Sequence, residues 1–332
     1  MPNYGAYSAN VIQFARESAA GTTLNATKIW RGPAADIEDT RVIVSPGVDE
    51  SIGILVPTAR AYTAQLGARL AMPETELTYE QFIHLLEASI KAATPTGAGP
   101  YVYAYAPPLT ATLNTIKTYT LESGNTIAGD GHEMSYGFVE SWTASGRQGE
   151  AWKMAANWVG RQKTEAALTG SLAQTTVESA LFSKAALTID ASGGTIGTTA
   201  KAGVLLEASI TYNSGIQPVM VGDGNLYFAA IKYTRPSVQY SLTMELESGG
   251  IANAERAAFE SQAIRLIRLS TAGSDATRLL VFDIAGLHTS MGQYQNSNDN
   301  TTIQISGEAR YSSADTLYFA VGLTNNMATA AA

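Results

Sequence analysis

Apolar and polar residues alternate most regularly in residues 131–162, and this pattern predicts one long β-hairpin. Every second residue of an extended arm lies on the same face, and residues 146–149 (GRQG) supply the reversal. Arms of about twelve residues reach roughly 40 Å, longer than a usual globular strand and typical of barrels, fibres and tubes. The aromatic-rich faces carry Met134, Tyr136, Phe138, Glu140 and Trp142 in the first arm and Trp152, Met154, Ala156 and Trp158 in the second.

The opposite face of the same hairpin is small and polar. Its residues are Ser135, Ser141, Thr143 and Ser145 in the first arm and Lys153, Asn157 and Arg161 in the second. The aromatic face is therefore expected to pack against a core, and the polar face to meet water.

The rest of the first half contains strand patterns around one helix. Thr78 and Gln81 form a capping-box pair, so a helix is predicted from this point to about Ala93. Pro73 is expected to end the strand that precedes it. Predicted strands cover residues 41–45, 51–57, 58–72, 101–106 and 116–122.

The second half repeats this order of elements roughly 160 to 180 residues later, which indicates a tandem duplication. In order, residues 237–247 match the strand before the helix, a helical run after Asn253 matches the helix, 264–270 match 101–106, 277–285 match 116–122, and 301–323 match the long hairpin. The predicted organisation is an N-terminal arm (1–35), a first β-sandwich (36–165), a connector (166–199), a second β-sandwich (200–325) and a C-terminal tail (326–332). Each sandwich is expected to carry one helix, centred near Phe82 and Phe259.

Composition supports a mainly β protein. Only 15% of the residues are charged, while 45% are hydrophobic, a balance that suits extended sheets better than charged helices. The absence of cysteine excludes disulfides and thiolate metal sites. A formal net charge of −8 argues against a nucleic-acid-binding surface. The first residues lack a signal-peptide pattern and no apolar run is long enough for a membrane helix, so a soluble, unexported chain is expected.

The sequence predicts no catalytic, cofactor-binding or metal-binding residues. His84, His132 and His288 are far apart and in no zinc-binding pattern. The glycine-rich residues 192–201 resemble a phosphate-binding loop only in composition, and a turn is expected there. Residues 296–300 hint at calcium but lack the glycine and glutamate of a calcium loop, so a solvated loop tip is predicted.

Three stretches of the chain resemble the major tail tube proteins of bacteriophages with long, non-contractile tails. They are ESAAGT at 17–22, the hairpin GHEMSYGFVESWTASGRQGEAWKMAANWVGR, and the late order PSVQYSLTMEL, helix, strand, TLYFAVGLTNN. The resemblance implies β-sandwich domains, each flanked by a helix, whose long hairpins join those of neighbouring subunits in an inner β-barrel around a channel. Tail tube subunits usually have one domain and form six-membered rings, so this chain departs by carrying two.

The resemblance implies a structural subunit of the virion tail, made and assembled in the host cytoplasm, rather than an enzyme. Its expected partners are further copies of itself and the tape measure, tail terminator and distal tail proteins. Double-stranded DNA would pass through the lumen without specific binding, and no cofactor or membrane segment is expected. The alternative is a carbohydrate-binding adhesin, in which Trp142, Trp152 or Trp158 would lie in an open groove. In a tube subunit these tryptophans should be buried.

Three further expectations concern assembly. The arm (1–35) and the loops 123–131 and 287–300 are expected to make contacts between subunits, since they are polar or weakly patterned. The channel wall is expected to be neutral or negative, because Lys and Arg would bind the phosphates of passing DNA. Rings of three chains are expected, each chain contributing two domains and so imitating six.

Overall fold

The chain is mainly β. A computed structural model describes residues 5–246, 250–297 and 299–330, and in this part of the chain large antiparallel sheets are accompanied by two α-helices. The predicted mainly β class is therefore confirmed. Parts of the predicted arm, of the loop 287–300 and of the C-terminal tail, namely residues 1–4, 298 and 331–332, lie outside the described residues.

The elements follow one another in this order. The strands are β1 (Asn10–Arg16), β2 (Lys28–Ile29), β3 (Glu38–Asp39), β4 (Val42–Val44), β5 (Tyr62–Gln65), β6 (Ala68–Glu76), β7 (Tyr101–Tyr105), β8 (Tyr119–Asn125), β9 (Asp130–Arg147), β10 (Lys153–Gly160), β11 (Thr164–Glu165), β12 (Ala185–Ala191), β13 (Leu205–Asn213), β14 (Ile216–Val219), β15 (Ala230–Tyr233), β16 (Ser237–Glu245), β17 (Arg265–Ala272), β18 (Leu279–Met291), β19 (Gln295–Ser297), β20 (Asn300–Ala309) and β21 (Phe319–Asn325). The helices are α1 (Phe82–Ser89) and α2 (Ile251–Ser261).

One sheet runs through both halves of the chain. Its strands pair in the order β3, β6, β10, β9, β13, β16, β20 and β18, all antiparallel. We call it the long sheet. The two halves meet within it, where β9 pairs with β13.

Two flanking sheets are continuous with the long sheet through its longest strands. The N-terminal part of β9 pairs with β8 and β11, and β8 pairs with β1, which forms the first flanking sheet. The N-terminal part of β18 pairs with β17 and β21, and these pair with β12 and β7 to form the second. The main hydrophobic core contains buried residues from all three sheets and from α1, so the flanking sheets and the helix cover one face of the long sheet.

The pairing scheme of the first half recurs in the second. The series β1, β8, β9 corresponds to β12, β17, β18, and the series β3, β6, β10, β9 corresponds to β13, β16, β20, β18. Both halves also contain a β-bulge at the same place, because Glu140 of β9 is skipped in the pairing with β10 and Thr289 of β18 in the pairing with β20. A shared bulge is informative because it aligns the two halves residue by residue.

Three predicted correspondences are wrong. Residues 116–122 were matched with 277–285 and the long hairpin with 301–323, but the pairing makes β8 equivalent to β17, and β9 and β10 equivalent to β18 and β20. Residues 101–106 were matched with 264–270, but β7 pairs with β21 at the edge of the second flanking sheet. In the first half it is β8 that takes the position of β17, since each pairs with the long strand of its own half. Alternation identifies a strand but carries no information about its partner.

The predicted arm and connector both contain strands of the sheets. β1 lies within the residues 1–35 expected to lack a core, yet it pairs with β8 and buries Ile12 and Phe14. β12, within the predicted connector, pairs with β17. In β1 four consecutive residues are buried, Gln13 among them, so the strand lacks the period of two by which half-buried strands are recognised. Deleting the arm would therefore remove part of the core.

The long hairpin forms, but its first arm does not have a single aromatic face. In β10, Met154, Ala156 and Trp158 all point into the main core, as predicted. In β9, Trp142 points into that core while Phe138 belongs to a smaller cluster on the other face. The alternation of side chains between the two faces of β9 is interrupted, because Tyr136 has a positive φ of 56° and Glu140 forms the bulge. Each irregularity interrupts the strict alternation that the prediction assumed.

One bond of the predicted capping box forms. The Thr78 hydroxyl accepts a hydrogen bond from the backbone N–H of Gln81 at 3.2 Å, but α1 begins only at Phe82, and its N-cap residue, Gln81, makes no side-chain capping bond. The strand before it does not end at Pro73, because β6 continues to Glu76. Pro73 lies opposite a register shift in β10, where a strand can accept a residue without an N–H.

Candidate functional site

The face of the long sheet that points away from the core is lined by small polar side chains. One row of cross-strand partners runs from β10 to β18 and contains Lys153, Ser145, Ser209, Ser241, Ser306 and Ser290. A neighbouring row contains Ala155, Thr143, Thr211, Gln239 and Glu308. We call this surface the polar face. Ser141, Thr143, Ser145, Lys153 and Asn157, predicted to lie on a polar face, all belong to it.

Hydrogen bonds join neighbouring side chains across the polar face. The Thr143 and Thr211 hydroxyls lie 3.1 Å apart where the two halves of the chain meet. In the second half, the Gln304 amide donates to the Ser241 hydroxyl at 3.0 Å, and the Ser306 hydroxyl does so at 3.2 Å. Two open hollows on this face are lined mainly by Ser, Thr, Glu and Gln side chains. Such a surface is strongly hydrated and offers few apolar contacts to a ligand.

Carboxylates outnumber cations on and beside the polar face. Its cations are paired: Arg69 with Glu140 at 3.0 Å, Arg147 with Glu150 at 2.7 Å, and Lys153 with Glu150 at 2.8 Å. Further carboxylates on the same face are Glu74, Glu76, Glu207, Glu245 and Glu308, of which Glu308 is paired with Arg310. The polar face is therefore net acidic.

The other side of the polar face is held by a cluster of aromatic rings. Trp142 stacks on Tyr212 with ring centroids 5.5 Å apart and meets Phe82 of α1 edge-on at 5.2 Å. Its indole N–H donates to the Ser89 hydroxyl at 3.1 Å. Trp152 and Trp158 are buried in the same core. The three tryptophans of the hairpin are thus packing residues, and none lies in an open groove.

Among the described residues, both edge strands of the long sheet have unpaired backbone segments. At one end β3 pairs with only two residues of β6, and the rest of that edge of β6 is not paired. At the other end β18 beyond Gly286 pairs with β20 on one side only. Unpaired edge strands present backbone N–H and C=O groups that can pair with another strand.

A hairpin of the second half packs over one end of the polar face in the first half. β14 and β15 form this hairpin, and Ile216 and Phe228 bury their side chains against Tyr136 and Phe138. The Arg161 guanidinium donates to the backbone oxygen of Phe228 at 3.1 Å and lies 4.6 Å from the centre of the Tyr136 ring. Sequence reasoning missed this contact, since nothing local to Arg161 indicates a partner far along the chain.

The glycine-rich segment wraps around a carboxylate of the chain itself. Asp190, at the end of β12, accepts hydrogen bonds from the backbone N–H groups of Gly197, Thr198 and Thr199 at 2.8, 3.2 and 2.8 Å. The Thr198 hydroxyl adds a fourth at 2.7 Å. Burial by itself would raise the pKa of Asp190, but these bonds outweigh it and hold the pKa well below its ordinary value. The N–H groups that would cradle a phosphate are thus already bonded.

We expect Asp190→Asn to lower the free energy of unfolding at pH 7 by about 2–3 kcal/mol, because the amide NH2 would face backbone donors in place of an acceptor. The folded-state pKa of Asp190 lies below its unfolded value, so its stabilisation is present above about pH 4 and is lost as the pH falls below it. Urea unfolding at pH 7 and pH 3 measures both effects.

Asp223→Asn is the matched control for this prediction, since Asp223 is exposed and bonds only within its own turn. We expect a change within about 0.5 kcal/mol. Equal losses from the two variants at pH 7 would contradict the assigned role of Asp190.

The three histidines do not form a site together. His84 bonds to the Tyr119 hydroxyl, and its burial lowers its pKa well below the ordinary value. His132 lies near Asp36 and Asp130, and His288 contacts Glu255 in the second half. Within the described residues, no group of three His, Asp or Glu side chains could hold a metal ion, and neither helix is long and apolar enough to span a membrane.

Comparison with known proteins yields no assignment. No protein-family model matches the chain, and no curated protein is significantly similar to it. The case for a function therefore depends on the polar face, its open edges and the repeated pairing scheme.

Proposed function

We propose that the chain is a structural subunit of a phage tail tube, built of two tandem β-sandwich domains that polymerise as stacked rings around a DNA channel. The observation that carries the proposal is the long sheet. It is covered by core on one face, polar on the other and open at both edges. A sheet with these properties becomes a closed wall when copies join edge to edge, and closure removes the unpaired edges.

The repeated pairing scheme supports two tandem domains. Each half contains a flanking sheet, a helix and four strands of the long sheet, and each long strand has its bulge at the same place. A ring subunit made of two such units presents nearly equivalent surfaces twice. One chain can then occupy two positions around a ring.

The number of strands favours three chains per ring. Both halves contribute to the same polar face, so one chain supplies eight strands to the wall, and three chains would supply about 24. At roughly 4.8 Å spacing and 45° tilt, such a barrel is about 50 Å across between backbones. Side chains leave about 40 Å, enough for a hydrated duplex roughly 20 Å wide. Six chains would double the barrel to about 100 Å.

The charge of the polar face suits a channel through which DNA passes. Its cations are engaged by neighbouring carboxylates, and further carboxylates lie beside them. An acidic, hydrated wall repels phosphates and lets a duplex move, whereas free Lys and Arg would bind it. DNA is therefore proposed as cargo rather than as a bound ligand.

The buried tryptophans argue against the adhesin alternative. A carbohydrate-binding groove needs exposed aromatic rings on which sugars can stack. Trp142, Trp152 and Trp158 are instead at most 2% exposed. Among the described residues, the two rows of the polar face contain no aromatic side chain, and Tyr136 and Phe138 at its end are covered by the hairpin of β14 and β15.

Cryo-electron microscopy of concentrated protein tests the proposal. We expect hollow tubes with three chains per ring, and with Ser209, Ser241 and Glu207 facing the lumen. Six chains per ring would contradict the stoichiometry, and a predominantly basic lumen would contradict the proposed passage of DNA. Protein that remains monomeric at every concentration, including with tail-tip proteins present as initiators, would contradict the function itself.

A further inference from the structure

The two strands that join the halves of one chain have equivalents at the two edges of the long sheet. There, among the described residues, no strand pairs with their outer sides. Aligning the halves on their bulges makes Ser141 of β9 equivalent to Ser290 of β18. The pairing of β3 with β6 and of β13 with β16 likewise makes Asp39 equivalent to Tyr212, and Thr40 to Asn213. Within the chain, Asn213 lies directly opposite Ser141. Their equivalents, Thr40 and Ser290, lie at opposite edges of the long sheet.

The hairpin that crosses this junction also has an equivalent. Continuing the alignment from Asp39 makes Ile43 of β4 equivalent to Ile216 of β14. Both are hairpin residues, but Ile216 is 2% exposed where its hairpin packs on the polar face of the first half, whereas Ile43 is 60% exposed. Val42 and Tyr62 of the same hairpin are exposed as well. The hairpin β4–β5 therefore presents an apolar side that its counterpart buries.

The place where β14 and β15 pack on the first half has a counterpart on the second half, and there it is open. The alignment makes Arg161 equivalent to Arg310, and Leu66 equivalent to Pro236. In the first half, the Leu66 N–H donates to the backbone oxygen of Leu226 in the overlying hairpin at 2.8 Å, a bond that Pro236 cannot repeat because proline has no N–H. In the second half, a hollow at the same place is lined by Pro107, Leu109, Pro236, Glu308, Arg310 and Tyr311. Tyr311 is 52% exposed there.

We propose that two copies of this chain join by repeating the internal junction. The region of β3 in one copy pairs antiparallel with the end of β18 in the next, with Thr40 opposite Ser290. The hairpin β4–β5 of the first copy then lies in the hollow beside Arg310 of the second, with Ile43 buried as Ile216 is. The inference rests on the proposed function and adds to it a register and a docking site.

A second copy is the occupant that the structure favours, because the fold already contains an interface between the equivalent strands and hairpin. β9 and β13 pair along seven residues, and the hairpin beyond them adds apolar contacts and two hydrogen bonds from Arg161. Shorter counterparts of both strands lie at the two edges of the long sheet, namely β3 with Thr40 at one edge and the end of β18 at the other. Joining copies in this way leaves no end unpaired once a ring has closed.

Disulfide trapping tests the register, and the chain has no native cysteine to interfere. Thr40→Cys combined with Ser290→Cys should link chains covalently when concentrated protein is treated with oxidised glutathione. Directly opposed residues have Cβ atoms about 4.5–5.5 Å apart, within reach of a disulfide after small shifts. Products on non-reducing gels should end at three chains if rings of three close.

Thr40→Cys with Ser306→Cys is the matched control. Ser306 lies on the same face and pairs with Ser290, but it is one strand further from the edge, about 10 Å from the expected position of residue 40. We expect at least tenfold less linked product. Asn213→Cys with Ser141→Cys is the positive control, because these residues face each other within one chain and should form an intrachain bond.

Ile43→Ser tests the hairpin without cysteine. Its exposed side chain predicts an unchanged melting temperature for the monomer, while assembly should require at least about tenfold more protein, since a buried isoleucine contributes more than one power of ten to an equilibrium. Val102 is exposed on β7, the edge strand of the second flanking sheet, away from both edges of the long sheet, so Val102→Ser should assemble like the unsubstituted protein. Equal assembly by both variants would overturn the docking of the hairpin.

Electron microscopy of the unsubstituted protein separates failure of the junction from failure of the function. Tubes without selective linkage of the Thr40 and Ser290 pair would overturn the junction and leave the tube intact. Selective linkage in closed oligomers that never stack would support the junction and overturn the tube. The absence of both tubes and linkage would overturn the junction and the tube together.

Discussion

Replacing Trp142 by alanine is expected to lower the free energy of unfolding by about 3–5 kcal/mol, the range for a large aromatic side chain lost from a packed core. Trp142 is 1% exposed and contacts both halves of the chain. It meets Phe82 of α1, stacks on Tyr212 of β13, and lies 6.3 Å from Phe319 of β21 between ring centroids. The substitution would open a cavity where the halves meet and leave the Ser89 hydroxyl without its indole donor.

Urea denaturation at neutral pH measures this loss. Tyr7→Ala is the matched control, because it also removes an aromatic ring but from a side chain that is 78% exposed; a change within about 0.5 kcal/mol is expected. A loss below about 1 kcal/mol for Trp142→Ala would show that the rings around it do not hold the halves together.

The second large loss of stability is expected for Glu255→Gln in α2. The Glu255 carboxylate is fully buried and accepts hydrogen bonds from Arg265 at 2.9 and 2.7 Å and contacts the His288 ring at 2.9 Å. Removing its charge leaves the Arg265 guanidinium, whose side chain is 14% exposed, without its buried carboxylate partner, and breaking a buried pair typically costs about 3–5 kcal/mol. We therefore expect α2 to detach from β17 and β18 at lower urea concentration than in the unsubstituted protein.

The pH dependence of this pair has a definite sign. Burial by itself would raise the pKa of Glu255, but the hydrogen bonds from His288 and Arg265 outweigh it and the pKa is lowered. Its stabilisation is accordingly present above the unfolded pKa of about 4.3 and is lost as the pH falls through the folded value. The difference between the unsubstituted protein and Glu255→Gln should shrink on acidification, as followed by urea unfolding between pH 7 and pH 3.

Asp283→Asn provides the comparison for Glu255. Asp283 of β18 also accepts two hydrogen bonds from one arginine, Arg268 of β17, at 2.6 and 2.8 Å. That pair is partly exposed, so water screens it and a loss of at most about 1 kcal/mol is expected. Equal losses for the two variants would mean that burial does not set the strength of these pairs.

Local sequence patterns predicted the elements whose structure depends on near neighbours. The Thr78 and Gln81 pair indicated the start of α1, and the alternation in β10 identified the face that it buries. The polar side chains of Ser141, Thr143 and Ser145 likewise indicated the exposed face of β9. These predictions succeed because capping bonds and the period of two both act within a few residues.

The predictions from sequence are wrong where the structure of a segment depends on a partner that is distant in the chain. β1 shows no alternation because its middle residues are all buried, and β7 joins a sheet of the second half. In β9, the backbone of Tyr136 and the bulge at Glu140 turn Phe138 towards a hairpin that begins some 80 residues later, a range that no local period can register. The hydrogen bonds from residues 197–199 to Asp190 were not predicted, because a carboxylate and the backbone N–H groups that bind it leave no recognisable pattern in the sequence.

The sequence by itself determined that this protein is mainly β, that a helix lies in each half of the described chain, and that its longest hairpin has a polar side. Those features follow from periodicity, composition and capping, which operate locally along the chain. Only the tertiary structure decided which strands pair, where the bulges fall, that both halves share one sheet, and that the edges and the Arg310 hollow are left open. Strand pairing and edge exposure are properties of distant segments brought together, and their register follows from packing across the whole fold.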